Sequence, residues 1–263
     1  MRNLAQTFLS EAAMSAKSAT KLLSTILACM YAGSSLAATL RVAVASNFVP
    51  VMESLSSAFE ASSGHELLLS PGSTGRHYTQ IVNGAPFDLF LAADTQRPAL
   101  LETAGNMVNG TRITYALGRL ILWSPDSDLI DTNASALASS RFRHLAIANP
   151  TLAPYGQAAQ QVLEQLGLWK KLQPLLVQGE NIAQTLQFVE SGNAELGFIA
   201  WSQWLDIGGP NRGSSWAPPP ALYKPIEQQA VILRDSAAAR EFMQFLKDSK
   251  AREIIAEAGY GLP

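Results

Sequence analysis

Cysteine is almost missing. The 263 residues hold one, Cys29, so no disulfide scaffold and no cysteine-built metal site can form within the chain. Histidine is scarce as well: His65, His77 and His144 lack metal-ligand spacing, and each reads as a surface or loop residue. Charge is low, at 15% of residues, and nearly balanced at a net −2, which argues against a nucleic-acid-binding face. After residue 37 no run of about eighteen apolar residues occurs, so no spanning helix is expected there. The sequence contains no Gly-x-Gly-x-x-Gly, no phosphate-binding Gly-x-x-x-x-Gly-Lys, no His-Glu-x-x-His and no Gly-x-Ser-x-Gly. Ser18-Ala19-Thr20-Lys21 matches Ser-x-x-Lys, but it sits in a leader-like segment. What is present is an ordinary globular composition, 48% hydrophobic with 18 Gly and 14 Pro, long enough for one or two domains.

That leader-like segment is the first departure from the average. Lys17 and Lys21 precede an apolar run from Leu22, and small residues follow through Ser35-Leu36-Ala37-Ala38. A positive start, a short apolar stretch and a small-x-small end make a secretory signal peptide over residues 1–37, cut after Ala37 or one residue later. Met14 is an alternative start. A second reading takes Ile26-Leu27-Ala28-Cys29 as a loose lipoprotein box with Cys29 acylated. Ordinary cleavage would remove three of the 19 basic and one of the 21 acidic residues, moving the net charge from −2 to −4.

The rest alternates β-rich runs with helical periodicity. Strands are expected at Leu40–Ala45, Glu66–Leu69, Leu89–Ala93, Leu120–Trp123, Leu145–Ala148, Leu175–Val177, Leu196–Ala200 and Ile226–Leu233. Helices are expected over Val49–Ser62, from the Pro71–Gly75 loop through Ile81, and over Tyr155–Leu166, Ile182–Ser191 and Ala237–Ala258. In the first of these, Val51, Leu55 and Phe59 share one face. Continuous apolar strands alternating with helices argue for α/β units with mainly parallel sheets covered on both faces. Two such units are expected, the chain crossing near Thr114–Gly118 and returning near Pro225–Gln229. Gly208–Pro220 reads as an exposed loop.

Chemistry concentrates where strands hand over to helices. Ser46-Asn47, Gly72-Ser73-Thr74-Gly75, Asn149-Pro150 through Pro154-Tyr155-Gly156, and Glu180-Asn181-Ile182 each put hydroxyl or amide residues at a helix start. Such starts leave N–H groups unpaired and carry partial positive charge. Several converging at the carboxyl ends of parallel strands would hold an anion without any Lys or Arg. The plainer reading is that these residues merely cap their helices. Arg76 beside the second loop either meets the anion or is solvated. Trp201, Trp204 and Trp216 either line a sugar site or pack against neighbours, and Asp88 and Asp94 are an acid/base pair or strand-end caps.

At these residues the chain resembles the family of periplasmic molybdate-binding proteins of ABC-type uptake systems. The resemblance runs from Leu40 to Pro263. It is carried by Val44-Ala45-Ser46-Asn47-Phe48, Gly72-Ser73-Thr74-Gly75-Arg76, Gln80 through Asp88, Leu91-Ala92-Ala93-Asp94, Ile147-Ala148-Asn149-Pro150, Ala153-Pro154-Tyr155-Gly156 and Leu196–Ala200. It implies an α/β two-lobed fold of the type II, Venus-flytrap class, with residues 38–117 and 226–263 in one lobe and 118–225 in the other. It implies a non-enzymatic, monomeric periplasmic receptor without cofactor, which takes molybdate or tungstate and delivers it to a membrane permease. By position the anion would be held by Ser46, Asn47, Ser73 and Thr74 from one lobe, and by backbone N–H groups of Tyr155 and Ile182 from the other. Many family members place a Tyr donor where Ala200 stands here, so Tyr155 or Asn47 compensates or the site has fewer donors. The competing expectations are the same fold with sulfate, phosphate or an organic anion, and an exported hydrolase with Ser46 or Ser73 as nucleophile.

Overall fold

The computed structural model describes residues 37–139 and 141–263; Cys29, Met14 and the expected signal peptide up to Leu36 lie outside the described residues. In chain order the strands are β1 (Thr39–Ala45), β2 (Glu66–Gly72), β3 (Leu89–Ala92), β4 (Ile113–Gly118), β5 (Leu120–Ser124), β6 (Leu145–Ala148), β7 (Leu176–Gly179), β8 (Leu196–Ala200), β9 (Ser214–Trp216) and β10 (Ile226–Ile232). They make two five-stranded sheets, ordered β2-β1-β3-β10-β4 and β7-β6-β8-β5-β9.

Both sheets are mixed. Four strands of each run one way and a single strand is reversed, β10 in the first sheet and β5 in the second. The reversed strand is in each case the one that follows a crossing between the two sheets: β5 after Gly118-Arg119, and β10 after Pro225. The expected mainly parallel arrangement therefore holds for strand direction, while the crossings add antiparallel pairings.

Central strands are apolar on both faces because helices cover both. β3, β6 and β8 are buried along their whole lengths. Helix Val49–Ser63 turns Val51, Met52, Leu55 and Phe59 into the core and ends at Gly64, whose φ of 73° suits glycine. Below the first crossover, Phe48 is fully buried, with the rings of Tyr115 and Tyr260 edge-on at 4.7 and 5.2 Å. Burial of such a ring is worth about 1.5–3 kcal/mol, and it fixes the Ser46–Phe48 turn that follows β1.

Several expectations change. β2 runs on through Pro71 to Gly72, since an edge strand tolerates proline's missing donor. The expected helix over 237–258 is two, Ala237–Phe245 and Ser249–Glu257, because Asp248 takes an extended conformation and starts the second. Inside the expected loop 208–220, β9 pairs with β5 while Ser214 Oγ accepts the Ile130 N–H at 3.0 Å. Two histidines are core rather than surface. His65 accepts the Ala38 N–H at 3.1 Å, and His77 lies within 3.2 Å of both Val44 O and Gln80 Oε1. Burial lowers the His77 pKa, keeping that ring neutral. Only His144 is exposed.

Candidate functional site

The carboxyl ends of β1 and β2 face the helix starts that follow β6 and β7, and a narrow pocket of about 10 Å³, room for roughly one water, lies between them. All six residues expected from sequence line it: Ser46, Asn47, Ser73, Thr74, Tyr155 and Ile182. Each is buried, none more than 7% exposed. Ala45, Gly72, Ala93, Ala153 and Pro154 complete the wall, so the pocket carries no charged side chain.

The plainer capping reading fails at three of the four helix starts. Ala45, Ser73 and Ala153 occupy the N-cap positions and make no side-chain cap bond. Ser73 is the telling case. Its Oγ is buried and has no hydrogen-bond partner in the protein, although serine is a favoured cap. Thr74 Oγ1 accepts the Ala93 N–H at 3.0 Å, which leaves its own proton free to donate. Asn181 does cap: its Oδ1 accepts from the N–H groups of Ala183 and Gln184, both at 3.0 Å. That still spares the N–H of Ile182, one residue earlier. Pro154 has no N–H at all, so Tyr155 supplies the first donor of its helix.

Two of the polar side chains point elsewhere. Asn47 Nδ2 donates to Gln228 Oε1 and to the Tyr260 hydroxyl, each at 3.0 Å. The Tyr155 hydroxyl accepts from Gln228 Nε2 at 3.3 Å. Both residues therefore offer the pocket their backbone. Burial raises the pKa of Tyr115 and Tyr155 well above the usual phenol value and that of Tyr260 to about 12, so all three hydroxyls stay protonated. At the position of the family tyrosine, Ala200 is buried outside the pocket wall and its N–H donates to Gln203 Oε1 at 3.0 Å. Gln203 Nε2 in turn donates to Ile182 O at 3.2 Å, holding that helix start in place.

Arg76 is not in the pocket. It is exposed and reaches across the cleft mouth to Glu180 at 3.1 Å. Nearby, the Gly75 N–H donates to Leu152 O at 2.8 Å, and Arg97, paired with Asp94, donates to Thr151 O at 2.7 Å. Asp94 is thus an ion-pair member, and Asp88 accepts the Arg41 N–H at 2.8 Å as a strand tie. The Trp201 and Trp204 rings meet at a tilt, 4.7 Å apart, with Arg119 over Trp201, and neither lines the pocket. His77 lies on Val44 O and Gln80 Oε1, and Ser73 Oγ has no partner, so no His–Ser pair forms at Ser73. Among the described residues no group of His, Cys, Asp and Glu could hold a metal ion.

Sequence reading missed Gln228, Tyr115 and Tyr260, which form the buried polar layer behind the pocket. The signal was available, since Glu227-Gln228-Gln229 interrupts the apolar residues of its strand and Gln228 falls at an inward position.

Two sheets joined by two crossings, with a buried pocket of neutral donors between them, define a two-lobed binding protein. The chain belongs to the bacterial extracellular solute-binding proteins, whose family model matches residues 40–261, and within them to the family of molybdate-binding proteins. It is 49% identical to the molybdate-binding protein ModA of Azotobacter vinelandii, over 86% of this chain and 91% of that one. It is 43% identical to ModA of Rhodobacter capsulatus over 83% and 86%. The solved Azotobacter vinelandii periplasmic molybdate-binding protein superposes with a TM-score of 0.82 at 43% identity, covering 85% of this chain and 99% of that one.

Proposed function

We propose that this chain is an exported, periplasmic receptor that captures molybdate or tungstate and hands it to the membrane permease of an ABC importer. The observation that carries the reading is the pocket without a charged side chain, with Ser73 Oγ buried and unpartnered at its wall. The identity to two molybdate-binding proteins supports the choice of anion. Ser46, Ser73 and Thr74 donate hydroxyls from one jaw, and Asn47 adds a backbone N–H. Tyr155 and Ile182 donate N–H groups from the other. Residues 38–117 and 226–263 make up the first jaw and 118–225 the second, and the receptor acts as a monomer.

The chemistry suits a fully deprotonated tetrahedral oxyanion, which only accepts hydrogen bonds. Phosphate keeps a proton near neutrality and would want an acceptor carboxylate, which the pocket wall lacks. Sulfate only accepts but is smaller, so it leaves donors unpaired at about 1–3 kcal/mol each. Tungstate matches molybdate in size and charge and is taken equally.

Ligand-induced stabilisation tests this directly, because binding to the folded state alone must raise its melting temperature. Molybdate and tungstate at 1 mM are expected to shift Tm upward by several degrees, sulfate and phosphate by much less. No shift with molybdate, or an equal shift with sulfate, rejects the reading.

A further inference from the structure

The Gln228 side chain lies behind the pocket with no exposed surface and is hydrogen-bonded at both ends. Its Oε1 accepts from Asn47 Nδ2 at 3.0 Å and from the Tyr115 hydroxyl at 3.1 Å. Its Nε2 donates to the Tyr155 hydroxyl at 3.3 Å. Asn47 and Tyr155 belong to opposite lobes, and both line the pocket. One amide therefore ties together the two jaws at the residues that face the ligand.

Two independent features show that this junction is built. The β10–β4 pairing shifts register between Gln228 and Gln229, so that Tyr115 is the extra residue on β4. Such a bulge re-aims side chains that strict alternation would send elsewhere. At the crossing itself, a Cβ on Gly118 would run into the Tyr155 hydroxyl and lie 3.0 Å from Gln228 Nε2. Only glycine leaves the Tyr155 ring room to reach Gln228. Tyr260 closes a second ring, donating to Asn47 O at 2.8 Å and accepting from Ser202 Oγ at 2.9 Å.

We propose that Gln228 is a positioning residue for anion capture: it sets the approach of the two lobes so that the backbone donors of Asn47 and Tyr155 converge on one ligand. The proposal rests on the oxyanion reading of the pocket. It assigns affinity to a residue that does not touch the ligand.

The experiment measures molybdate affinity by titration calorimetry on the full exported chain and three variants. Gln228→Met keeps the bulk and removes all three bonds; Kd is expected to rise at least tenfold. Tyr115→Phe removes the bond to Gln228 and the longer one to Ala92 O at 3.3 Å, from a residue outside the pocket, and is the gentler change for folding, with an expected three- to tenfold rise. A merely structural role would lower Tm of free and liganded protein together and leave Kd unchanged. Gln228→Glu adds a second readout. Protonated, its carboxyl can still donate to Tyr155 and accept from Asn47 and Tyr115; ionised, it sets a negative charge behind a dianion. The ratio of its Kd to that of wild type is expected to climb at least tenfold from pH 5.5 to 8.5. The Tyr115, Tyr155 and Tyr260 phenols facing it are raised by burial and keep their protons in that range; Asp94, which faces Tyr115, is ion-paired with Arg97. If wild type binds and both Gln228→Met and Tyr115→Phe match it within twofold, the proposal falls while the ligand reading stands. If wild type binds no molybdate, the ligand reading falls and takes the proposal with it.

Discussion

Ser73 sets function against stability within one side chain. A buried hydroxyl without a partner forfeits its hydrogen bonds to water, which costs about 1–3 kcal/mol. The ligand-free protein bears that cost, and the bound oxyanion would repay it. Ser73→Ala is therefore expected to leave the Tm of the free protein equal or higher while weakening molybdate binding by five- to a hundredfold, read by thermal melting and calorimetry on the same sample. Thr74→Val differs in sign. It strands the Ala93 N–H that Thr74 Oγ1 now accepts, so it lowers Tm as well as affinity. The four junctions that carry the expected residues were legible from chain order, as hydroxyls and amides at helix starts, and the resemblance singled out the six that line the pocket. Which of their atoms face the pocket was not legible. That Asn47 and Tyr155 turn their side chains away depends on Gln228, 181 residues from Asn47.

At the scale of elements, the site is made of helix starts set against strand ends. The start of helix Pro154–Gln165 passes so close to β6 that a Cβ at Gly156 would collide with the Ala148 carbonyl. Gly156→Ala is expected to push this first turn outward, moving the Tyr155 N–H off the anion. Affinity should fall at least tenfold, and Tm should fall by several degrees, whereas Gly167→Ala, in open space at the far end of the same helix, should leave affinity unchanged. Equal affinities for the two variants would show that the turn's position does not matter. Most of the element order was readable because period-2 and period-3.6 apolar patterns alternate along the chain; β4, read only as a crossing, and the helix Gln96–Thr103 were not expected. The readings that failed had weaker local patterns: β9 is three residues long and held by its pairing to β5, and the break at Asp248 lies between two helices of similar composition.

The whole molecule is acidic on the sequence count and carries a dianion site with no cation in its wall, so overall charge cannot supply the attraction. Fixed dipoles must do so, and dipoles do not titrate. The nearest phenols are raised by burial, His77 is kept neutral by burial, and the Arg76–Glu180 pair is exposed and spans only the cleft mouth. Sequence alone could not separate a structural from a ligand-facing Arg76, because its partner comes from the other lobe. Molybdate affinity is accordingly expected to stay within about twofold from pH 6.5 to 9, measured by calorimetry in buffers of constant ionic strength. Glu180→Gln should raise the dissociation rate by no more than a few-fold, since exposed pairs contribute little. Stability has its own pH limit. Tyr260 titrates at about 12 in the folded chain against 10.0 for the free group, so between those values the folded state holds a proton that the unfolded chain has lost. Its contribution is fully present below pH 10 and declines as pH rises through 12. The denaturant midpoint should therefore stay constant through neutrality and drop above pH 10. In Tyr260→Phe, the part of that alkaline drop that belongs to Tyr260 should vanish; a variant that loses stability with the wild-type alkaline profile would assign the drop to other groups.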